Sequence, residues 1–218
     1  MDFETKKDWL EARKHGISGT GASAILGLNP YITNAEYWEL KTGRRKEPDI
    51  SDKPFIKYGL AAENPLIELF ALDFPEYEVM HKDWDLRTHK EKPFLIGSLD
   101  GELTERSTGR KGILEIKTTN ILQSMHREKW KDGLPDNYFY QTLHYMLVTS
   151  YDFCVLKAQL KRVYRDEQGR DDVKLDTRHY YYERDEVLDI MAELEAKETE
   201  FWHKNIVADV RPPLLLNF

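Results

Sequence analysis

The stretch that decides the fold covers residues 97–118, where two apolar segments are separated by a polar turn. The first segment reads Gly97-Ser98-Leu99-Asp100-Gly101-Glu102-Leu103, and the second reads Gly112-Ile113-Leu114-Glu115-Ile116-Lys117-Thr118. Apolar and polar residues alternate on both sides of the glycine-containing turn, which predicts a β-hairpin or two neighbouring strands. In the second strand, one face carries Ile113, Glu115 and Lys117, and the other carries Leu114 and Ile116.

Charged side chains of this strand pair can meet at one point. Asp100 can approach Glu115 across the pair, and Lys117 lies on the same face as Glu115. Mg²⁺ prefers such hard oxygen ligands and leaves its remaining positions to water and substrate phosphate. A neighbouring amine can orient or deprotonate the attacking water and stabilise charge on phosphorus. The pattern therefore indicates either a catalytic metal site or a surface hairpin with a cross-strand ion pair.

Composition places the chain among ordinary globular proteins. Its 218 residues, 40% hydrophobic and 33% charged, are enough for one domain with a substantial core. No segment approaches the roughly 18 apolar residues of a membrane span, and the N-terminus lacks a signal-peptide core. Cys154 is the only cysteine, which excludes an intrachain disulfide and a cysteine-based cluster or zinc site. These features predict a cytoplasmic protein with no membrane partner.

The charge balance leaves a nucleic-acid partner open. The net charge of −7 argues against nucleic acid, but basic residues cluster at 44–46, 110–111 and 161–165. A protein that is acidic overall can still present a basic groove, so net charge alone does not decide the matter.

The first part of the chain predicts short helices and a segment of small residues. A helix is expected at residues 8–14, and residues 17–27 predict a loop that opens into a short helix with Thr20 as its N-cap. Free backbone N–H groups at such a helix start can bind phosphate, although tight packing against a neighbour explains small residues equally well. Asn34 is predicted to cap a third helix at residues 35–42.

A longer helical pattern follows at residues 55–72. Pro65 predicts a kink or the start of a second helical segment there. Glu63 comes just before this proline among glycine and alanine residues, which favours a carboxylate that points inward over one that is solvated.

Residues 135–148 predict a helix that carries three hydrogen-bonding side chains on one face: Gln141, His144 and Tyr145. These side chains form either the wall of a site or a hydrogen-bond network in the core. The remaining predicted elements are strands at 78–86, 152–161 and 174–182, a helix at 122–131, a hairpin turn at 166–170 and a long helix at about 183–204. We expect the apolar tail at 210–218 to pack on the core or on a neighbouring subunit.

Five blocks of sequence, taken in order, resemble the lambda-type, YqaJ-like phage exonucleases of the PD-(D/E)xK nuclease superfamily. They are the Arg13 helix with the small-residue segment through Gly27 and Tyr31, Gly59 with Glu63, residues 97–101, residues 114–117, and residues 135–146. The resemblance implies an α/β (α+β) fold with a PD-(D/E)xK restriction-endonuclease-like core, a central mixed β-sheet flanked by helices. It implies a single nuclease domain over residues 1–218.

The same resemblance assigns roles to residues of this chain. It implies that the metal ligands are Asp100, Glu115, the Ile116 carbonyl and Glu63, with Lys117 handling the nucleophilic water and Gln141 lining the site. It implies that the DNA 5′-phosphate is bound by Arg13, Thr20 and Ser98. The implied cofactor is Mg²⁺, two ions per active site, with Mn²⁺ able to substitute.

The function implied by the resemblance is 5′-to-3′ digestion of one strand of linear double-stranded DNA with a 5′-phosphorylated end. Relatives of this kind form homotrimeric rings and pass the 3′ strand to a single-strand annealing protein during phage recombination in the bacterial host. Two alternatives remain, namely a structure-specific or restriction-type endonuclease on the same core and a non-catalytic DNA-end-binding protein.

Overall fold

The computed structural model describes residues 3–120, 130–131, 133–165 and 167–215. Its helices are α1 (Lys6–Arg13), α2 (Gly19–Ile25), α3 (Asn34–Lys41), α4 (Pro54–Asp73), α5 (Asp136–Thr149) and α6 (Leu188–Phe201). Its strands are β1 (Tyr77–Met80), β2 (Arg87–Thr88), β3 (Ile96–Gly97), β4 (Gly101–Glu105), β5 (Lys111–Asn120), β6 (Phe153–Arg165) and β7 (Asp171–Glu183). The helix predicted at 122–131 lies outside the described residues except for Trp130 and Lys131, which form part of a turn.

A five-stranded mixed sheet of order β1-β4-β5-β6-β7 forms the centre of the fold. Strands β5 and β6 are parallel, and every other neighbouring pair in this sheet is antiparallel. A parallel pair needs a crossover connection, and here that connection contains α5. The predicted strand pair is present as β4 and β5, with Gly101 opposite Leu114. The α/β fold with a central mixed sheet flanked by helices is confirmed.

Strand β5 separates two apolar cores. Ile113 on one face packs in a cluster with Leu143 and Met146 of α5, while Leu114 on the other packs with Phe70 of α4. Helices therefore cover both sheet faces, as the alternating pattern of the strand predicts. Each fully buried aliphatic side chain contributes about 1.5–3 kcal/mol relative to an exposed one.

Two predicted helix caps are wrong. Helix α2 begins two residues earlier than expected, so its N-cap is Ser18, and Thr20 is an exposed residue of the first turn. Helix α3 is capped by Thr33, which shares a reciprocal capping box with Glu36. Ser18 and Thr33 each lie within two residues of another side chain that can cap a helix, so local sequence alone does not show which of the two is the N-cap.

Asn34 instead ties the C-terminal segment to the core. Its Nδ2 donates to the Pro213 carbonyl at 2.7 Å, and its Oδ1 accepts from the Leu215 amide at 3.0 Å. These two hydrogen bonds attach the described part of the tail to its own chain, while Val210, Leu214 and Leu215 remain exposed. Packing of the tail on the core or on a neighbouring subunit stays a prediction.

Several other helices and strands differ from their predicted extents. Helix α4 is a single helix that continues through Pro65 rather than two segments, and β1 ends at Met80 instead of 86. The long C-terminal helix predicted at about 183–204 is divided into a 3₁₀ turn (Arg184–Glu186), α6, and a π-helical segment (Trp202–Val207). Strand β7 extends to Glu183, which delays the start of α6. Within the described chain, no helix has the length and apolarity to span a membrane.

Candidate active site

Glu115 is the centre of the candidate site and is only 1% exposed, on strand β5. Lys117 forms an ion pair with its Oε1, and the Gln141 amide of α5 donates to the same oxygen at 2.8 Å. The other amide hydrogen of Gln141 goes to the Tyr145 hydroxyl at 2.9 Å. A strand and a helix thus hold one carboxylate oxygen between them.

Asp100 lies in the short segment between β3 and β4. The Ile116 backbone N–H donates to its Oδ2 at 2.8 Å, so the strand that carries Glu115 and Lys117 also fixes Asp100. The structure therefore brings the two acids and the amine of the strand pair together.

The three groups are electrostatically linked. Burial, and then the charge of Asp100, raise the pKa of Glu115 to about 8. Burial also raises the pKa of Asp100. Burial opposes the charged form of Lys117, but the carboxylates of Glu115 and Asp100 outweigh it and raise the pKa of the amine. One cation beside several acids leaves an excess of acidic groups at this point, and their mutual repulsion when ionised contributes to the raised pKa of Glu115.

Glu63 adds to that excess from helix α4. Burial, and then the charge of Asp100, raise its pKa to about 7. The helix can come close to β5 because Gly59 has no side chain: a Cβ there would lie 3.2 Å from Thr118 Oγ1. The predicted inward carboxylate is thus half-buried and within electrostatic range of the cluster.

The residues present fit a divalent cation. Glu115 Oε2 is buried and accepts no hydrogen bond from any described residue, although an unsatisfied buried oxygen is costly. In the described part of the chain, no three His, Cys, Asp or Glu side chains are gathered closely enough to bind an ion by themselves. Mg²⁺ commonly uses one or two carboxylates and completes its shell with water and phosphate, which matches Asp100 and Glu115.

The three residues predicted for phosphate binding have different environments. The Arg13 guanidinium stacks 4.4 Å from the Trp9 ring centre, and its charge acts on Asp100 and Tyr145. Ser98 Oγ is buried and has no hydrogen-bond partner among the residues that the structure describes. Thr20 is exposed on α2.

Helix α2 approaches the site through Gly19. A Cβ at this position would lie 2.8 Å from Gln141 Cγ and 2.8 Å from Tyr145 Cε1. Because Gly19 has no side chain, helix α2 lies close to α5, the helix whose Gln141 is hydrogen-bonded to Glu115. Thr20 is the next residue of α2. The small residues of this segment thus pack tightly against a neighbouring helix, which is one of the two interpretations of the sequence; phosphate binding is the other.

His144 does not line the site, in contrast to one prediction for helix α5. Its Nδ1 bonds Glu198 Oε1 at 2.7 Å and its Nε2 bonds the Ile96 carbonyl at 2.8 Å, in the interior between α5, α6 and β3. The predicted three-residue wall is corrected to Gln141 and Tyr145, and His144 belongs to the alternative core network.

Sequence reasoning assigned no role to two further neighbours of the cluster. His81 Nδ1 donates to the Asp100 carbonyl at 2.6 Å, and Tyr138 places its ring centre 5.3 Å from Lys117 Nζ. No local motif marks His81. Only the strand register, with Met80 opposite Glu102, brings it to this position.

Comparison with known proteins identifies relatives of the whole fold. Residues 8–152 match the model of the YqaJ-like viral recombinase domain. The protein YqaJ of Bacillus subtilis (strain 168) is 29% identical over 216 residues, which are 96% of this chain and 59% of the relative. The chain thus spans less than two thirds of that relative's length.

Solved structures share the fold. The crystal structure of an alkaline exonuclease, LHK-Exo from Laribacter hongkongensis, matches with a TM-score of 0.67 at 19% identity, over 94% of each chain. The structure of LHK-Exo in complex with dAMP matches with the same TM-score at 18% identity and the same coverage.

Proposed function

Because the chain belongs to the YqaJ-like viral recombinase domain family, we propose that it is a metal-dependent exonuclease that degrades linear double-stranded DNA. It removes nucleotides in the 5′-to-3′ direction and leaves 3′ single-stranded overhangs for recombination by annealing. The observation that carries this proposal is the convergence of Asp100, Glu115 and Lys117 beside Gln141. The named activity of the structurally similar alkaline exonuclease supports the same class of reaction.

The proposed cofactor is Mg²⁺, two ions per site, with Mn²⁺ able to substitute. Asp100, Glu115 and the Ile116 carbonyl would hold the metal, with Glu63 as a further acidic partner. Bound divalent ions supply an activated water and charge stabilisation at the leaving oxygen. The partnerless Glu115 Oε2 supports this assignment because a cation would satisfy it.

The side chains of the cluster contribute positioning and charge. Gln141 fixes Glu115 from the helix side, and the Ile116 amide fixes Asp100 from the strand side. Lys117 is held against Glu115, where its ammonium can orient the attacking water and stabilise negative charge on the phosphate. Groups held by rigid elements in this way meet the positional demands of catalysis.

A 5′-phosphate pocket beside this cluster would make the enzyme end-directed. We assign the pocket to Arg13, Thr20 and Ser98. The partnerless Ser98 hydroxyl and the charge of Arg13 near Asp100 support it, because phosphate needs hydrogen-bond donors and positive charge.

The assembly and cellular setting of this proposal come from the sequence resemblance. We propose a homotrimeric ring that acts on 5′-phosphorylated duplex ends and cooperates with a single-strand annealing protein. The setting is the cytoplasm of a bacterial host, with the protein encoded by a phage or prophage.

Digestion of end-labelled DNA tests the function. We expect a linear 5′-phosphorylated duplex to lose nucleotides from its 5′ ends in Mg²⁺, and EDTA to stop the reaction. A closed circular duplex should resist. Cleavage of the circle would instead indicate an endonuclease, and binding of ends without cleavage would indicate an end-binding protein.

A further inference from the structure

An aromatic side chain projects into solvent from a turn that is hydrogen-bonded to helix α2. Tyr31 is 82% exposed, in the turn between α2 and α3. Single exposed aromatic residues are common on protein surfaces, so exposure by itself implies nothing. The anchored backbone of this turn and the neighbouring Tyr138 hydroxyl distinguish Tyr31 from an ordinary surface residue.

Asn29 anchors the turn at both ends. Its Oδ1 accepts from the backbone N–H of Tyr31 at 2.9 Å and of Ile32 at 3.3 Å. Its Nδ2 donates to Ser23 Oγ at 3.1 Å and to the Thr20 carbonyl at 3.3 Å. The backbone of Tyr31 is thus held in fixed relation to Thr20, a residue of the proposed phosphate pocket.

Tyr138 lies between Tyr31 and Lys117 of the candidate site. The Tyr138 hydroxyl is a hydrogen-bonding neighbour of the Tyr31 hydroxyl. The Tyr138 ring centre is 5.3 Å from Lys117 Nζ and 5.6 Å from the Trp130 ring centre. The exposed Tyr31 and its neighbour Tyr138 therefore form a continuous pair of aromatic residues next to Lys117.

We propose that Tyr31, supported by Tyr138, is a stacking platform for the nucleobase of the 5′-terminal nucleotide. This inference rests on the proposed function. A phosphate held by Arg13 and Thr20 places the attached nucleoside near the turn that Asn29 fixes. Every base has a π-face, so stacking on tyrosine is tolerant of sequence, as an exonuclease requires. Because Asn29 already holds the backbone of Tyr31, this turn loses little conformational freedom on binding.

The test compares two 5′-phosphorylated duplexes that differ only in whether the terminal 5′ nucleotide carries its base or is abasic. Release of the first nucleotide is followed in Mg²⁺ over a range of DNA concentrations. We expect the parent protein to prefer the intact end by about 5- to 150-fold in kcat/KM, the equivalent of stacking one base. Tyr31→Ala should abolish this preference, and Tyr31→Phe should keep it.

A matched control uses Tyr164, another exposed tyrosine, on strand β6. Tyr164→Ala should keep the preference of the parent protein, and melting temperatures should show that all variants are folded. Equal cleavage of both ends by the parent, or an undiminished preference in Tyr31→Ala, overturns the platform alone. A parent protein that cleaves neither duplex contradicts the proposed function and the platform together.

Discussion

The Gln141 amide donates to Glu115 Oε1 at 2.8 Å and thereby joins helix α5 to strand β5 inside the candidate site. Lys117 binds the same oxygen, while Glu115 Oε2 has no partner in the described chain. A buried acid with one oxygen doubly bound and the other unsatisfied is an expensive arrangement for folding alone. The proposed divalent cation would complete the second oxygen and offset this cost.

Asp100→Asn should separate activity from stability. We expect cleavage in Mg²⁺ to fall at least about 100-fold, a loss on the scale of one catalytic group. We expect the melting temperature to stay the same or rise, because asparagine can still accept from the Ile116 amide but no longer repels Glu115 and Glu63. Nuclease assays and thermal unfolding measure the two effects.

Asp152→Asn is the matched control for this substitution. Its Oδ2 also accepts a backbone N–H, from Lys111 at 3.1 Å, but Asp152 precedes β6 outside the cluster. This variant should retain cleavage. Robust cleavage by Asp100→Asn would remove Asp100 from the mechanism.

Lys117→Ala should also abolish cleavage while the protein stays folded. We expect a loss of about 10²–10⁴-fold, because the variant lacks the ammonium that orients water and stabilises phosphate charge. Lys174→Ala, at an exposed position of β7, removes the same charge from the surface and should leave the rate unchanged. Single-turnover rates measure both variants, and parent-like activity of Lys117→Ala would contradict the assignment.

Metal addition should stabilise the parent protein, and Glu63→Gln should weaken this effect. A ligand that binds only the folded state raises the melting temperature, and the stabilisation grows with the logarithm of the ratio of ligand concentration to Kd. Glu63 lies near the cluster, whereas Glu68 is exposed on the same helix, so Glu68→Gln should respond to Mn²⁺ like the parent. Thermal unfolding with increasing Mn²⁺ gives the comparison. Equal shifts in both variants would exclude Glu63 from metal binding.

Arg13→Ala should reduce the preference for 5′-phosphorylated ends. We expect the ratio of rates on 5′-phosphate and 5′-hydroxyl duplexes to fall about tenfold or more, since hydrogen bonds to charged groups contribute about 1.5–3 kcal/mol. Lys14→Ala removes the neighbouring exposed cation, which pairs with Glu11, and should leave the ratio unchanged. An undiminished ratio in Arg13→Ala would rule out this pocket.

The buried His144–Glu198 pair should make stability depend on pH. Burial disfavours the imidazolium, but the Glu198 carboxylate and then the Ile96 carbonyl outweigh it and raise the pKa of His144 in the folded state. The stabilisation is therefore fully present below the unfolded pKa of about 6.5, and it is lost as pH rises through the folded pKa.

Urea unfolding of the parent protein and of His144→Gln measures this effect from about pH 6 to about pH 9. The difference in unfolding free energy between them should shrink as pH rises. His15→Gln, at an exposed position, should run parallel to the parent. A difference that stays constant or grows would show that His144 is not charged in the folded protein.

The sequence predicts most of the fold because its strands and helices have strong periodic patterns. The β4–β5 pair and helix α5 agree with their patterns, and the two faces of β5 separate as the alternation of Ile113 and Leu114 predicts. Helix ends were predicted less well. Thr33 rather than Asn34 caps α3, because the side chain of Asn34 is committed to a tertiary contact that no local pattern reveals.

The candidate site was partly predictable for the same reason. Asp100 immediately precedes β4, and Glu115 and Lys117 lie on the neighbouring strand β5, so their meeting follows from the pairing of these two strands. The position of His81 depends on the register of β1 against β4, which no local pattern reveals. The turn that carries Tyr31 is held locally by Asn29, but its place beside Thr20 depends on how the segment folds back on α2. His144 was ambiguous on its helix because its partner, Glu198, is 54 positions away in sequence.

A crystal grown with Mn²⁺ and examined by anomalous diffraction tests the central claim, that these acids hold a divalent cation. We predict an anomalous peak between Asp100 and Glu115, at about 2.0–2.3 Å from a carboxylate oxygen of each, with Glu115 Oε2 among the ligands. A map with both side chains ordered and no ion between them would contradict the account.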